Sequence, residues 1–292
     1  MALNDIERTK LKELSEKKYK DQAIWFLNAY WLENGEKEAE NIWNYVLKFS
    51  EYDNENHEEG CALDELNIHR ILEFYNDQQT IQQFRESLRQ QNVEFKRTFA
   101  LCIFLAWHYK MPIKKLVNAP QGHQSAEMAK AQQMVDEVSV LLAEAVKKAD
   151  EATKRDKELQ KALDELKQEE DAFNKKTEEL KAKIEKETGI VKKNKAQAEL
   201  SQHMESDPLP LRKAKITCEA AKKKSEKARA EAESAAEEMK KKMEEAEEYL
   251  NQQKAAAAAG QGLMWWMQRE LEEKKKFMPS RKGGLGRSLA QK

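Results

Sequence analysis

Between about Gln124 and Gln253 the apolar positions follow a sustained heptad pattern. In a first segment, spacings of four and three pick out Val138, Leu142, Ala145, Ala149, Ala152, Asp156, Leu159, Leu163, Leu166, Glu170, Phe173, Thr177, Leu180 and Ile184, and eleven of these fourteen are apolar. A second segment gives Leu211, Ala214, Cys218, Ala221, Ser225, Ala228, Ala232, Ala235, Met239, Lys242, Ala246, Tyr249 and Gln253, with ten of thirteen apolar. Charged residues surround both seams. Such seams predict coiled-coil helices, and two of them joined by a short connection predict an antiparallel hairpin. The first helix is expected over about 125–186, roughly 90 Å at about 1.5 Å per residue. Glu187-Thr188-Gly189 closes it. From Ile190 to Pro210 the pattern breaks, with room for a short helix over Ala196–Met204. Asp207-Pro208-Leu209-Pro210 cannot continue a helix. The hairpin is therefore placed at 124–253 with its break at about 188–210. Its alanine-rich return seam allows close backbone approach but buries little area per turn.

Residues 1–120 carry a different pattern, with shorter amphipathic runs and most of the aromatics, including Trp25, Trp31, Trp43 and Trp107. Large side chains of this kind supply the area a compact core needs. Asn4 or Asp5 can cap a first helix bearing Leu11 and Leu14. A second, from Asp21, carries Ile24, Trp25, Leu27, Ala29 and Trp31, with Asn34-Gly35 as its stop. A third is expected over 36–50, a fourth over 63–75, a fifth from Asp77 or Thr80, and a sixth over 99–109. Pro112 and Pro120 bracket the exit. After the hairpin, 254–262 is an Ala/Gly hinge. A Trp-rich helix is expected over 263–278, and 279–292 is basic, glycine-containing and expected to be disordered. The fold class is all-α.

Composition narrows the function. Charged residues make up 36% of the 292, yet the net charge is −1. That balance speaks against bulk attraction to nucleic acid or acidic lipid and leaves room only for local basic patches. Apolar runs such as Phe99–Trp107 are too short to span a bilayer. The N-terminus has no apolar signal-like core. Cys61, Cys102 and Cys218 are unclustered and sit in apolar or seam positions, as reduced cysteines of a cytoplasmic protein do.

Enzymatic chemistry finds no support: there is no phosphate-binding glycine loop, no metal-ligand spacing of Cys and His, and the five histidines are scattered. Helix, short loop, helix, twice over, is the order of paired EF-hands, so calcium is the one cofactor left open. Its ligand set is incomplete. If the second loop starts at Asn92, Glu94 and Lys96 fill positions three and five, Arg97 fills position six, and Ile103 stands where a bidentate glutamate is needed. The first loop offers Asp53, Glu55 and Glu59 as weak candidates, with Glu58 and Gly60 beside them. The other reading of that loop is a solvated acidic turn.

The tail, Trp265-Trp266-Met267-Gln268-Arg269-Glu270-Leu271-Glu272-Glu273-Lys274-Lys275-Lys276, resembles the C-terminus of the small calcium-regulated actin-bundling proteins. Phe26–Trp31 with Lys37–Glu40, and the break Ser206–Ala221, look like the same family. The resemblance implies an EF-hand-like N-terminal region, a helical rod, binding to filamentous actin by more than one segment, and calcium that inhibits bundling. Lys96, Arg97 and Ile103 depart from the calcium-controlled pattern.

The expected function is thus actin-filament binding and crosslinking in the cytoskeleton, through two filament sites or one site plus self-association. The candidate contacts are Lys222, Lys223, Lys224, Lys240, Lys241 and Lys242 on the return helix, with Arg212, Lys213 and Lys215 nearby. In the tail they are Trp265, Trp266, Arg269, Lys274, Lys275 and Lys276. The paired tryptophans have two readings, docking onto the protein itself or anchoring a partner. A microtubule or axonemal lattice is the alternative filament, and a calcium-sensing adaptor the third reading.

Overall fold

A computed structural model describes residues 3–75, 81–90, 97–121, 126–206, 208–256 and 260–279. The helix start expected at Asp77 or Thr80, the second-loop positions Asn92, Glu94 and Lys96, residues 257–259 of the hinge and residues 280–292 of the tail lie outside them. The fold is all-α, with eleven α-helices and two three-residue strands among the described residues. It divides into two compact units. The first comprises 1–136 and 243–273, the second 137–242 and 274–292. The boundary falls within both long helices.

The first unit begins with α1 (Asp5–Ser15), closed by a capping box in which the Asn4 side chain and Glu7 satisfy each other's backbone N–H groups. Next comes α2 (Tyr19–Tyr30), the centre of the unit, with Tyr19, Ala23, Ile24, Phe26, Leu27 and Tyr30 buried. The expected stop at Asn34-Gly35 does not occur. Instead the chain passes through a single wide turn, Trp31–Gly35, into α3 (Glu36–Tyr52). Gly35 is right-handed helical rather than a left-handed cap. A β-carbon there would sit 3.1–3.2 Å from the carbonyl oxygens of Tyr30 and Leu27, so glycine serves close backbone approach.

Two helix–loop–helix segments follow, α3 with α4 (Glu65–Phe74) and α5 (Ile81–Gln90) with α6 (Leu101–His108). Their loops pair through β1 (Ala62–Asp64) and β2 (Thr98–Ala100), antiparallel, with Leu63 opposite Phe99. The starts expected at 63 and 99 are therefore strand, and each helix begins two residues later. Asp64 caps α4 by accepting from Asn67 N at 2.8 Å. Phe104 of α6 joins the rings of Phe49 and Tyr45, both at 5.3 Å, in the core. A seventh helix, α7 (Ile113–Asn118), was not expected from the sequence. Trp25 donates to the Leu116 carbonyl of α7 at 2.9 Å.

Gln22 is fully buried and ties this unit together. Its amide nitrogen donates to Lys17 O at 2.6 Å and Cys61 O at 2.7 Å, and its oxygen accepts from Cys102 N at 2.8 Å. The same unit holds the start of α8 (Ala126–Lys186) and the end of α10 (Leu209–Ala256). There Met128, Ala131 and Val135 are buried, as are Met243, Ala246 and Leu250. Lys130 lies 4.8 Å from the centre of the Tyr249 ring.

In the second unit α8 runs antiparallel to α9 (Ile190–Glu205) and to α10. Lys183 meets Glu199 at 2.8 Å, and His203 Nε2 lies 3.0 Å from Thr177 Oγ1. Farther along, Asp156 accepts from Ser225 Oγ at 2.5 Å and from both Nε and an Nη of Arg229. Ser225 is buried, so this is a polar layer inside the seam that fixes register. The break expected over 188–210 is thus mostly helix. The turn after α8 is confined to 187–189, and α9 is already part of the return arm, which resumes with α10 at Leu209. The Pro208 carbonyl accepts the first α10 bond from Arg212 N at 3.0 Å. Proline is tolerated here because first-turn N–H groups have no helical partner.

The seam matches the heptad reading apart from slips of one residue. Ala162 is 5% exposed where Leu163, the expected position, is 42% exposed. Met243 is buried, whereas the expected Lys242 is exposed. A helix of 3.6 residues per turn drifts against a strict heptad, and a shift of one residue re-centres the stripe.

Candidate partner-binding surfaces

The tail helix, α11 (Gln261–Lys276), belongs up to Glu273 to the first unit. Its entry is close-fitted: a β-carbon on Gly262 would lie 2.5 Å from Leu27 Cβ and 2.8 Å from Asn28 N. Asn28 Oδ1 accepts from Leu263 N at 3.1 Å, providing a partner for one of the free N–H groups of the first turn. Leu263, Met264, Trp266, Met267 and Leu271 are buried. Trp266 is among the largest fully buried side chains, its ring 4.7 Å from that of Trp43 on α3.

Arg269 grips Glu40 through two bonds of 2.8 and 2.9 Å, donates to Glu273 at 2.8 Å, and lies over the Trp43 ring. These carboxylates hold the guanidinium well above its already high range. Lys20 pairs with Glu270 at 2.6 Å, and Glu270 also accepts from Trp266 Nε1 at 3.0 Å. Trp266 and Arg269 are therefore engaged within the chain. Trp265 is half-buried, Lys274 half-buried, and Lys275 and Lys276 exposed in the last turn.

On α10, Lys222, Lys223 and Lys224 are exposed between the seam residues Ala221 and Ser225. Arg155 holds the carboxyl of Glu158 on α8 below its ordinary range, with Lys154 and Lys224 adding their charges from farther off. Arg212, Lys213 and Lys215 are exposed on the preceding turns. Two residues that sequence reasoning passed over join them: Leu209 and Ile216 are 62% and 59% exposed. They stand seven apart, each two residues before a seam position, Leu211 and Cys218, which puts both on the outermost stripe of the helix. That same seven-residue spacing was their signal. From 209 to 224 this surface has six cations and one acid, Glu219.

Lys240, Lys241 and Lys242 are also exposed. Their setting differs, because Glu237, Glu238, Glu244 and Glu245 flank them. Lys240 and Lys242 interact with neighbouring groups of the protein.

The acidic loop does not gather its carboxylates. Asp53 is buried, accepting from Tyr19 Oη at 2.8 Å and from Asn56 N at 3.0 Å. Burial and this carboxylate push the Tyr19 phenol far above its usual range. Glu59 pairs with Lys18, and Glu55 is exposed. Among the described residues no group of three or more His, Cys, Asp or Glu is arranged to hold a metal ion. Arg97 is exposed and Ile103 half-buried. A groove beside them is lined by Leu3, Leu11, Leu88, Phe99 and Ile103, with Arg8 and Lys12 among its polar residues.

No curated protein matches the chain. The crystal structure of the 34 kDa F-actin bundling protein from Dictyostelium discoideum is similar, with a TM-score of 0.50 at 19% identity, covering 94% of this chain and 98% of that one. That likeness is one of fold. Residues 122–259, the stretch that holds α8, α9 and α10, match the family model described as F actin bundling C terminal.

Proposed function

We propose that this protein is a non-catalytic, cytoskeletal protein that binds and crosslinks actin filaments. The observation that carries the reading is the outer face of α10 from Leu209 to Lys224, where exposed Leu209 and Ile216 lie among Arg212, Lys213, Lys215, Lys222 and Lys223. An acidic filament surface meets such a face with charge and apolar contact together, giving fast, salt-sensitive association. The family match over 122–259 and the fold of the Dictyostelium neighbour support it. Six cations against one acid make the same face repel its own copy, so crosslinking calls for a second filament contact elsewhere on the chain.

The test is co-sedimentation with filamentous actin, at high speed for binding and low speed for bundling, with microtubules in parallel. Replacing Lys213, Lys215 and Lys223 with glutamate is expected to abolish low-speed bundling and to weaken high-speed pelleting with actin while helicity is unchanged. Equal pelleting of this variant, or pelleting with microtubules alone, would overturn the proposal.

The paired helix–loop–helix segments are read as EF-hand-like braces without micromolar calcium affinity, because Asp53 and Glu59 are engaged by Tyr19 and Lys18. Calorimetric titration of calcium is expected to give no binding heat in that range.

A further inference from the structure

The turn between α8 and α9 is built unlike the rest of the second unit. The first two residues of α9, Ile190 and Val191, are 80% and 83% exposed. Gly189 before them has no neighbour within 4 Å of a would-be β-carbon, so a side chain there would meet open space. Six lysines crowd the same short stretch, Lys181, Lys183, Lys186, Lys192, Lys193 and Lys195, against Glu185 and Glu187. Lys183 is paired with Glu199. Lys186, Lys192 and Lys193 form no ion pair among the described residues and are exposed.

Helices that dock in a protein groove present apolar anchors at i, i+3, i+4 and i+7, but after Ile190 those places hold Lys193, Asn194 and Gln197, so Ile190 and Val191 stand as an isolated pair. A fluid interface can take both. Protein hot spots favour Trp, Tyr and Arg, and none of these is present here. Lysine, a compact and strongly hydrated charge on a flexible stem, suits a diffuse anionic plane. A second copy of the chain would bring like charges together.

We propose that this turn is a contact for anionic lipid surfaces, in which Ile190 and Val191 enter the headgroup layer while Lys186, Lys192, Lys193 and Lys195 hold to its phosphates and carboxylates. The near-neutral charge of the whole chain is no obstacle, because attraction falls off within a Debye length and only local charge counts. Independent of the filament face on α10, this contact would fasten a filament-binding chain to a membrane.

Sedimentation of the full chain with vesicles of phosphatidylcholine, with and without phosphatidylserine, tests the proposal. Binding is expected only with phosphatidylserine and is expected to weaken with salt. Lys192→Gln with Lys193→Gln should lower affinity about thirtyfold, at roughly fivefold per lysine. Ile190→Ser with Val191→Ser should lower it about tenfold. Circular dichroism should show both variants fully helical. An environment-sensitive dye on Val191→Cys, in a Cys61→Ser background, should shift to the blue on binding. Lack of vesicle binding, binding indifferent to these substitutions, or binding without a dye shift would overturn it. So would variants that keep vesicle binding but lose actin pelleting, which would make the turn a filament contact.

Discussion

Gln22 shows how one residue can decide local architecture. Its buried amide joins the α1–α2 connection, the residue before β1 and the first turn of α6. Gln22→Leu keeps the volume but leaves buried backbone groups unpaired, at about 1–3 kcal/mol each. Urea unfolding should show a loss of roughly 3 kcal/mol for the variant. Trp266→Ala removes a fully buried ring and should cost about 3–5 kcal/mol by the same measurement. Part of that, about 0.5–1.5 kcal/mol, should appear as coupling in a double-mutant cycle with Trp43. Cysteine chemistry is similarly local. Burial pushes the Cys102 thiol up to about 12 and raises that of Cys61, while Cys218 is buried in the seam. Labelling of the folded protein with a thiol reagent at pH 8 should therefore leave Cys102 unmodified until unfolding.

Among the elements, α11 and the polar seam layer carry the clearest consequences. A Trp-Trp tail with a lysine end looks like a partner anchor, yet five of its apolar side chains are buried against the first unit. Truncation after Gly260 should therefore lower the stability of that unit by several kcal/mol, at about 1.5–3 kcal/mol per large side chain. Near-ultraviolet circular dichroism would report loss of aromatic packing. Retained packing after truncation would return the tail to the role of a partner anchor. In the seam, Arg229 first and Ser225 second hold the Asp156 carboxyl below its ordinary range. A depressed folded value contributes stability that is present above the unfolded value near 3.9 and lost as pH falls through the folded one. The layer is partly exposed, so its contribution is about 0.5–1 kcal/mol. Asp156→Asn should accordingly lower Tm at pH 7 and make little difference at pH 2.

At the scale of the whole molecule, near-zero net charge conceals segregation. The half of α10 that starts at Leu209 is cationic, and the half beyond Ser225 is rich in glutamate around Lys240–Lys242. Filament pelleting should thus weaken several-fold between low and physiological salt, as contacts among exposed charges do. Charge reversal at Lys240–Lys242 should change pelleting much less than reversal at Lys213, Lys215 and Lys223. Equal effects of the two would move the contact off the apolar-and-basic stripe.

Much of this was legible in the sequence because it depends on period. The heptad seam placed α8 and α10, and fixed Val138, Ala145, Ala149 and Ala152 as buried, because a helix presents the same stripe every seven residues whatever lies opposite. Cap chemistry located α1, and composition separated aromatic from charged segments. What period cannot convey is which partner covers a face. Tertiary packing turned Asn34-Gly35 from a stop into a close approach, made strand of Leu63 and Phe99, and extended the return arm back to Ile190. It also took Trp266 and Arg269 out of the exposed surface and left Leu209, Ile216, Ile190 and Val191 in it. An apolar side chain has the same hydrophobicity buried or bare, and only its neighbours in three dimensions determine whether it holds the fold or faces a partner.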